Sequence, residues 1–218
     1  MTECDTPETL VQRRRLVERL RQDARVSDPR VLEAFTRVPR HVFVSEDQRA
    51  SAYEDRALPL VESQTISQPT MIAIMLDALG CQPGDRALEV GGGSGYAAAV
   101  LACLVAEVHA IEIRPQLAAR ARDNLSVLEL TNVHVHVGDG RWGLPNLAPF
   151  QRILVSAGAP DVPSALVEQL GRGGRIAIPV DDGHGQTLQV GTRREDGQVE
   201  WTQSVACVFV PLVTGVAQ

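Results

Sequence analysis

The run Ala87-Leu88-Glu89-Val90-Gly91-Gly92-Gly93-Ser94-Gly95-Tyr96 constrains this chain more than any other segment. Apolar residues, then four glycines in five positions, then Tyr-Ala-Ala-Ala-Val-Leu, read as a strand, a tight turn and a helix. Glycine reaches positive φ without steric cost and lets a ligand approach the backbone closely. By itself the cluster reads equally well as a plain tight turn.

The surroundings extend the pattern. Residues 71–79 form an apolar helix closed by Gly80, and 86–90 a strand. A helix over 96–104 and a strand over 107–113 follow, then a helix from Pro115 to about residue 128. Strands are expected at 133–137, 153–156 and 175–179, with a helix over 163–170. Strands alternating with helices imply a parallel sheet covered on both faces. Residues 187–192 and 199–210, joined by Glu195-Asp196-Gly197, read as a hairpin. Ahead of all this, Leu10, Val11, Leu16, Val17 and Leu20 recur near the helical period. Ser27-Asp28-Pro29 starts a second helix that ends near Val38-Pro39. The expected fold is therefore α/β: a Rossmann-like, doubly wound, mostly parallel sheet with an N-terminal helical extension and a C-terminal antiparallel hairpin. At 218 residues the chain has length for one such domain over 1–218, with 1–69 as the helical and irregular part and 70–218 as the core.

Two acidic residues join Glu89 at the expected carboxyl ends of strands. Glu112 closes the next strand, where doubly wound folds place a ribose-binding carboxylate. Asp139, in Gly138-Asp139-Gly140, follows another strand and is placed to meet an adenine amino group. The spacing is G-x-G-x-G behind an acid, unlike the G-x-G-x-x-G of dinucleotide sites. Three carboxylates facing one crevice repel a pyrophosphate and suit a sulfonium cation on a neutral adenosine. The electrostatics choose S-adenosylmethionine, with S-adenosylhomocysteine as product, over NAD.

The formal charge of −6 argues against general nucleic-acid affinity. Arg13, Arg14 and Arg15 read as a solvated helix face. The four cysteines form no CxxC pair, which fits a reducing, cytoplasmic setting. The first turns are charged, unlike a signal peptide, and no apolar run is long enough to span a membrane. His134 and His136 alternate on one strand without a third ligand at a supporting spacing, so no metal is expected. Trp142 reads equally as an adenine-stacking or a packing residue.

The stretch from residue 43 to 69 lacks periodicity, and long ordered loops are often functional. Its segments 52–60 and Gln64-Thr65-Ile66-Ser67-Gln68-Pro69 closely resemble the protein-L-isoaspartate O-methyltransferase family. Val38-Pro39-Arg40, the glycine turn, Asn132-Val133, Gly138-Asp139-Gly140 and Ala148-Pro149-Phe150 resemble it too. So do Ala159-Pro160, Gly173-Gly174-Arg175, Ile178-Pro179-Val180 and Phe209-Val210-Pro211-Leu212. The resemblance covers nearly the whole chain past the first helix. It implies methyl transfer from S-adenosylmethionine to the carboxylate of L-isoaspartyl residues in proteins and peptides, whose ester closes to a succinimide. It implies a monomer whose substrate loop lies in residues 1–69. The family's site serine falls on Ser67, and its cofactor contacts fall on Gln64, Thr65, Ile66, Ser67, Glu89, Gly91, Gly93, Gly95, Glu112, Ile113, Asp139, Gly140 and Gln186. Three positions depart from the family pattern: Gly92 for threonine, Ala97 for glutamine, and Asp181-Asp182 for a glycine.

Without the resemblance, Ser67 ahead of Gln-Pro and an apolar helix is a capping signal. Two other readings stay open: a sibling enzyme that methylates a dedicated peptide, and a non-catalytic module that binds S-adenosylmethionine.

Overall fold

A computed structural model describes residues 4–22 and 26–215; the other residues of the expected 1–218 span lie outside it. Two helices open the chain, α1 (Pro7–Gln22) and α2 (Pro29–Arg37). Asp28 caps α2 by accepting from the Arg30 N–H at 2.9 Å, with Pro29 beginning the helix. Short 3-10 turns lead to a two-residue pair, β1 (Leu58–Pro59) and β2 (Thr65–Ile66), then to α3 (Pro69–Leu79).

The sheet follows: β3 (Arg86–Val90), α4 (Tyr96–Ala102), β4 (Glu107–Glu112), α5 (Pro115–Val127), β5 (Val133–Val137) and β6 (Phe150–Val155). After α6 (Ser164–Glu168) come β7 (Leu170–Asp181), β8 (Gln186–Arg193) and β9 (Val199–Cys207). The strand order is β5-β4-β3-β6-β7-β8-β9; β5 through β7 run parallel, and β8 and β9 antiparallel. The chain leaves β3 outward to β4 and β5, then returns to its other side with β6. That reversal opens a crevice at the carboxyl end of β3, where open α/β sheets bind ligands.

The strands alternate sides as a doubly covered sheet must. Ala87, Val108, Ala110 and Leu154 join one core with α1 to α4, while Leu88, Val90, Ile153 and Val155 join another on the opposite face. Fully burying each such branched side chain contributes about 1.5–3 kcal/mol.

Three expectations need correction. The helix expected over 163–170 is only Ser164–Glu168, because Leu170 already pairs with Phe150 in β7. The strand expected over 175–179 therefore begins at Leu170 and takes in the run Gly171-Arg172-Gly173-Gly174, across which the register shifts before Arg152 meets Arg175. The last strand stops at Cys207, since the chain crosses to Gly158: the Gly158 N–H donates to the Val210 carbonyl at 2.8 Å, and the Leu212 N–H donates to that of Gly158 at 2.7 Å. The basic run also divides. Arg14 and Arg15 are exposed, but Arg13 is buried and pairs with Asp5 at 2.7 Å.

His134 and His136 do more than occupy strand positions. His109 of β4 stacks on His134, and its Nδ1 lies 3.1 Å from His136 Nε2. Glu107 meets His109, His134 and Arg86 within 3.3 Å. Burial holds His109 below its ordinary value despite the pull of Glu107, and burial followed by the nearby histidines does the same for His136. In the folded chain both therefore take up protons at lower pH than in the unfolded chain, which does so below about pH 6.5. Their contribution to stability is present above that value and is lost as pH falls through the lower folded values. Denaturant unfolding at successive pH values is expected to weaken below about pH 6.5, with a shallower slope in His136→Asn. Identical slopes in the two proteins would contradict this account.

Candidate active site

The turn after β3 is pinned by the end of β4. The N–H groups of Gly91 and Gly92 both donate to the Ile111 carbonyl, at 2.9 and 3.2 Å. The Gly93 N–H donates to Glu112 Oε2 at 2.8 Å, and the Arg114 N–H to Glu112 Oε1 at 3.0 Å. Gly91, Gly93 and Gly95 have φ of 85°, 52° and 87°, a region that L side chains rarely adopt. Gly92 does not share this conformation, and a side chain there would meet Ala110 at ordinary contact distance. The departure at Gly92 therefore leaves the turn fixed.

Glu89 stands under the turn with 1% exposure. Ser156 donates to its Oε1 at 3.3 Å, but Oε2 has no hydrogen-bond partner among the described residues. Burial, and then the nearby Glu112 carboxylate, push this carboxyl up to about 8. An unsatisfied buried acid beside a second acid is costly unless a cation completes it. The sulfonium and ammonium groups of S-adenosylmethionine meet that requirement, so the donor set fits the cofactor expected from the sequence.

These residues line one cleft at the carboxyl end of β3, the place where open α/β sheets bind ligands. Ten of the thirteen expected site residues line it: Gln64, Thr65, Ile66, Ser67, Glu89, Gly91, Gly93, Glu112, Ile113 and Gly140. The other three sit behind its walls. Gly95 packs against Ala121 and Leu125. Asp139 caps the 3-10 turn Gly140–Trp142 and accepts from Arg141 and from the Gly215 N–H. Its carboxyl is held low by those bonds against the opposing effect of burial. Gln186 spends its amide on both backbone groups of Phe209, at 2.7 and 3.0 Å.

Gln186 and Asp139 thereby anchor a wall that sequence reading missed. Residues 210–213 line the cleft, brought there by the bridge to Gly158. Arg114 also lines it and reaches Glu62 at 3.0 Å, tying the loop before Gln64 to the start of α5. Trp142 neither lines the cleft nor packs; it is 65% exposed, with Arg141 about 6.0 Å from its ring.

Ser67 lies between this cleft and a second groove that includes Asp55, Arg56, Met71 and Phe209. The cap of α3 is not Ser67. Gln68 holds the cap position, and Asp55 accepts from the Thr70 N–H at 2.9 Å and from its hydroxyl at 2.7 Å. The Ser67 hydroxyl makes no hydrogen bond among the described residues, while its carbonyl accepts from Arg40 at 3.0 Å.

A family model described as protein-L-isoaspartate(D-aspartate) O-methyltransferase matches residues 11–217. A protein-L-isoaspartate O-methyltransferase from Roseiflexus sp. (strain RS-1) is 50% identical over 204 residues, covering 94% of this chain and 93% of that one. A solved protein-L-isoaspartate O-methyltransferase superposes with a TM-score of 0.84 at 30% identity; the match covers 93% of this chain and 66% of that longer one. A Plasmodium falciparum PCMT in complex with S-adenosyl-L-homocysteine superposes with a TM-score of 0.79 at 25% identity, covering 91% of this chain and 96% of that one.

The buried acid makes a measurable demand. With its carboxyl near 8, Glu89 is mostly protonated at pH 7, and a bound cation favours its ionised form. Calorimetry of S-adenosylmethionine binding in buffers of different ionisation enthalpy is expected to show proton release at pH 7. Affinity should rise with pH and level off above about 8. Glu89→Gln is expected to abolish the release; equal heats in all buffers with the unaltered protein would sink the assignment.

Proposed function

The chain belongs to the protein-L-isoaspartate(D-aspartate) O-methyltransferase family, and from that premise we propose which residues hold its two substrates. The enzyme transfers a methyl group from S-adenosylmethionine to the carboxylate of L-isoaspartyl residues in proteins and peptides, starting their repair through a succinimide. When bound, S-adenosylmethionine supplies a methyl group on a sulfonium, and the sulfur departs with the bonding electrons as neutral S-adenosylhomocysteine.

Glu112 accepts from the ribose hydroxyls while its outer bonds to Gly93 and Arg114 fix its rotamer. Glu89 faces the cationic end. Residues 64–67 and Ile113 close the sides, and Gly140 lets this wall lie close against Val90, whose side chain a Cβ at 140 would strike. Gly95, Asp139 and Gln186 support these walls from behind.

The acceptor is a carboxylate with an ordinary pKa of about 4, already ionised at neutral pH, so the step needs no general base. Positioning alone can supply about 7–11 kcal/mol. The observation that carries the reading is the uncommitted Ser67 hydroxyl at the junction of two cavities, freed because Asp55 caps α3 in its place. Ser67 donates to one carboxylate oxygen and leaves the other aimed at the cleft.

The chain works as one domain, and as a cytoplasmic monomer. The cysteine usage, four residues with no CxxC pair among them, supports the compartment. Among the described residues, no helix is long and apolar enough to cross a membrane.

Labelled S-adenosylmethionine offered with matched peptides is expected to leave base-labile label on L-isoaspartate and none on L-aspartate; equal labelling would refute the substrate. Ser67→Ala is expected to lower kcat about ten- to a hundred-fold with S-adenosylhomocysteine affinity nearly unchanged. Glu112→Ala is expected to do the reverse, raising the cofactor KM about as much through lost ribose contacts. Weakened cofactor binding in Ser67→Ala with full turnover at saturation would contradict the assignment.

A further inference from the structure

Arg40 is fully buried, and each of its hydrogen-bond partners is a neutral backbone carbonyl. Its Nη1 donates to Ala52 at 2.6 Å and more distantly to Glu54 at 3.4 Å. Its Nη2 donates to Arg56 at 3.2 Å and to Ser67 at 3.0 Å. The guanidinium lies 5.6 Å from the centre of the Tyr96 ring, and Nε has no partner among the described residues. The other deeply buried arginines differ: Arg13 and Arg152 each meet a carboxylate, Asp5 and Asp85.

A buried cation without an ion pair is expensive, and apolar residues fill such a volume at lower cost. Packing therefore does not explain Arg40. What the planar fork does, and no apolar side chain can, is hold several carbonyls in fixed relation. The carbonyls come from the segment of residues 52–56, which borders the acceptor groove, and from Ser67 itself. Asp55 ties the same segment to α3 through Gln68 and Thr70.

We propose that Arg40 is a positioning residue for methyl transfer: by joining the Ser67 carbonyl to residues 52–56, it fixes the Ser67 hydroxyl against the floor of the acceptor groove. This rests on the reading of Ser67 as the group that holds the acceptor. Arg40 touches neither substrate and acts through the backbone of the residue that does. Lysine keeps the charge but lacks the fork, so Arg40→Lys separates positioning from charge.

The test compares Arg40→Lys, Ser67→Ala and the double variant. S-adenosylhomocysteine affinity is measured by calorimetry, and kcat and KM with an isoaspartyl peptide. Arg40→Lys is expected to bind S-adenosylhomocysteine within about three-fold of the unaltered protein while kcat/KM for the peptide falls at least about thirty-fold. The double variant is expected within about three-fold of the worse single one, as for groups that act as a unit. Cofactor affinity falling in step with kcat/KM marks a general structural role and overturns the proposal. So does a double variant that loses the product of the two factors while Ser67→Ala alone is impaired. If Ser67→Ala alone is unimpaired, the reading of Ser67 fails and the proposal with it. A second measurement covers an Arg40→Lys that does not fold. In the unaltered protein, the side-chain nitrogen resonances of Arg40 are expected to shift when the isoaspartyl peptide joins the S-adenosylhomocysteine complex. Unmoved resonances overturn the proposal.

Discussion

Two consecutive acceptors at the end of β4, the Ile111 carbonyl and the Glu112 carboxylate, take up three successive N–H groups of the turn after β3. The turn then has little freedom left, and neither does Glu112, which is held from both sides. A carboxylate held in this way loses little entropy when a ligand's hydroxyl groups arrive. Glu89 is the counterpart beneath the turn, buried and short of one partner. One acid is satisfied in advance to serve as a fixed receptor. The other is kept incomplete and rewards a cation.

The acceptor side is organised by different means. Residues 52–57 lack the regular ladder that fixes a sheet, so side chains supply the order: Arg40 gathers carbonyls from below, and Asp55 reaches α3. Each replaces backbone bonds that an irregular segment would otherwise leave unmade. By capping α3, Asp55 also releases Ser67 from a duty that local sequence assigns to it. Two of the three described non-glycine residues with positive φ stand in the loop just before the cleft, where Glu62 and Ser63 take φ of 57° and 55° and the Glu62–Arg114 pair holds the loop down.

Local patterns were legible in the sequence, and long-range pairings were not. The glycine turn, the Asp28 cap and most strand positions follow from periodicity and turn chemistry over a few residues. Glu89, the glycine turn and Glu112 follow from the doubly wound pattern, whereas Gln64 to Ser67 sit in an irregular stretch where only the family resemblance pointed to them. Asp139 was expected in the site from its place after a strand and Gln186 from the family resemblance; their hydrogen bonds to Gly215 and Phe209 reach a tail whose path no local signal encodes. The Asp55 cap spans fifteen residues of sequence, so Ser67 was the nearer candidate. His109 escaped notice beside His134 and His136 because only strand pairing places it there. The glycines near residue 173 carry no strand signal of their own, and only the register shows them absorbing a shift within β7.

The cleft draws its walls from residues 64–67, from the turn after β3 and from residues 210–213, segments far apart along the chain. A nucleoside gripped by all three is in effect a removable cross-link, since those segments cannot separate while it stays bound. Ligands that bind only the folded state stabilise it by mass action, about 2.7 kcal/mol at a hundred times the dissociation constant. For this fold the methyl donor is then a structural ally as well as a reagent. By the same mass action, the folded population is expected to rise with the donor's concentration.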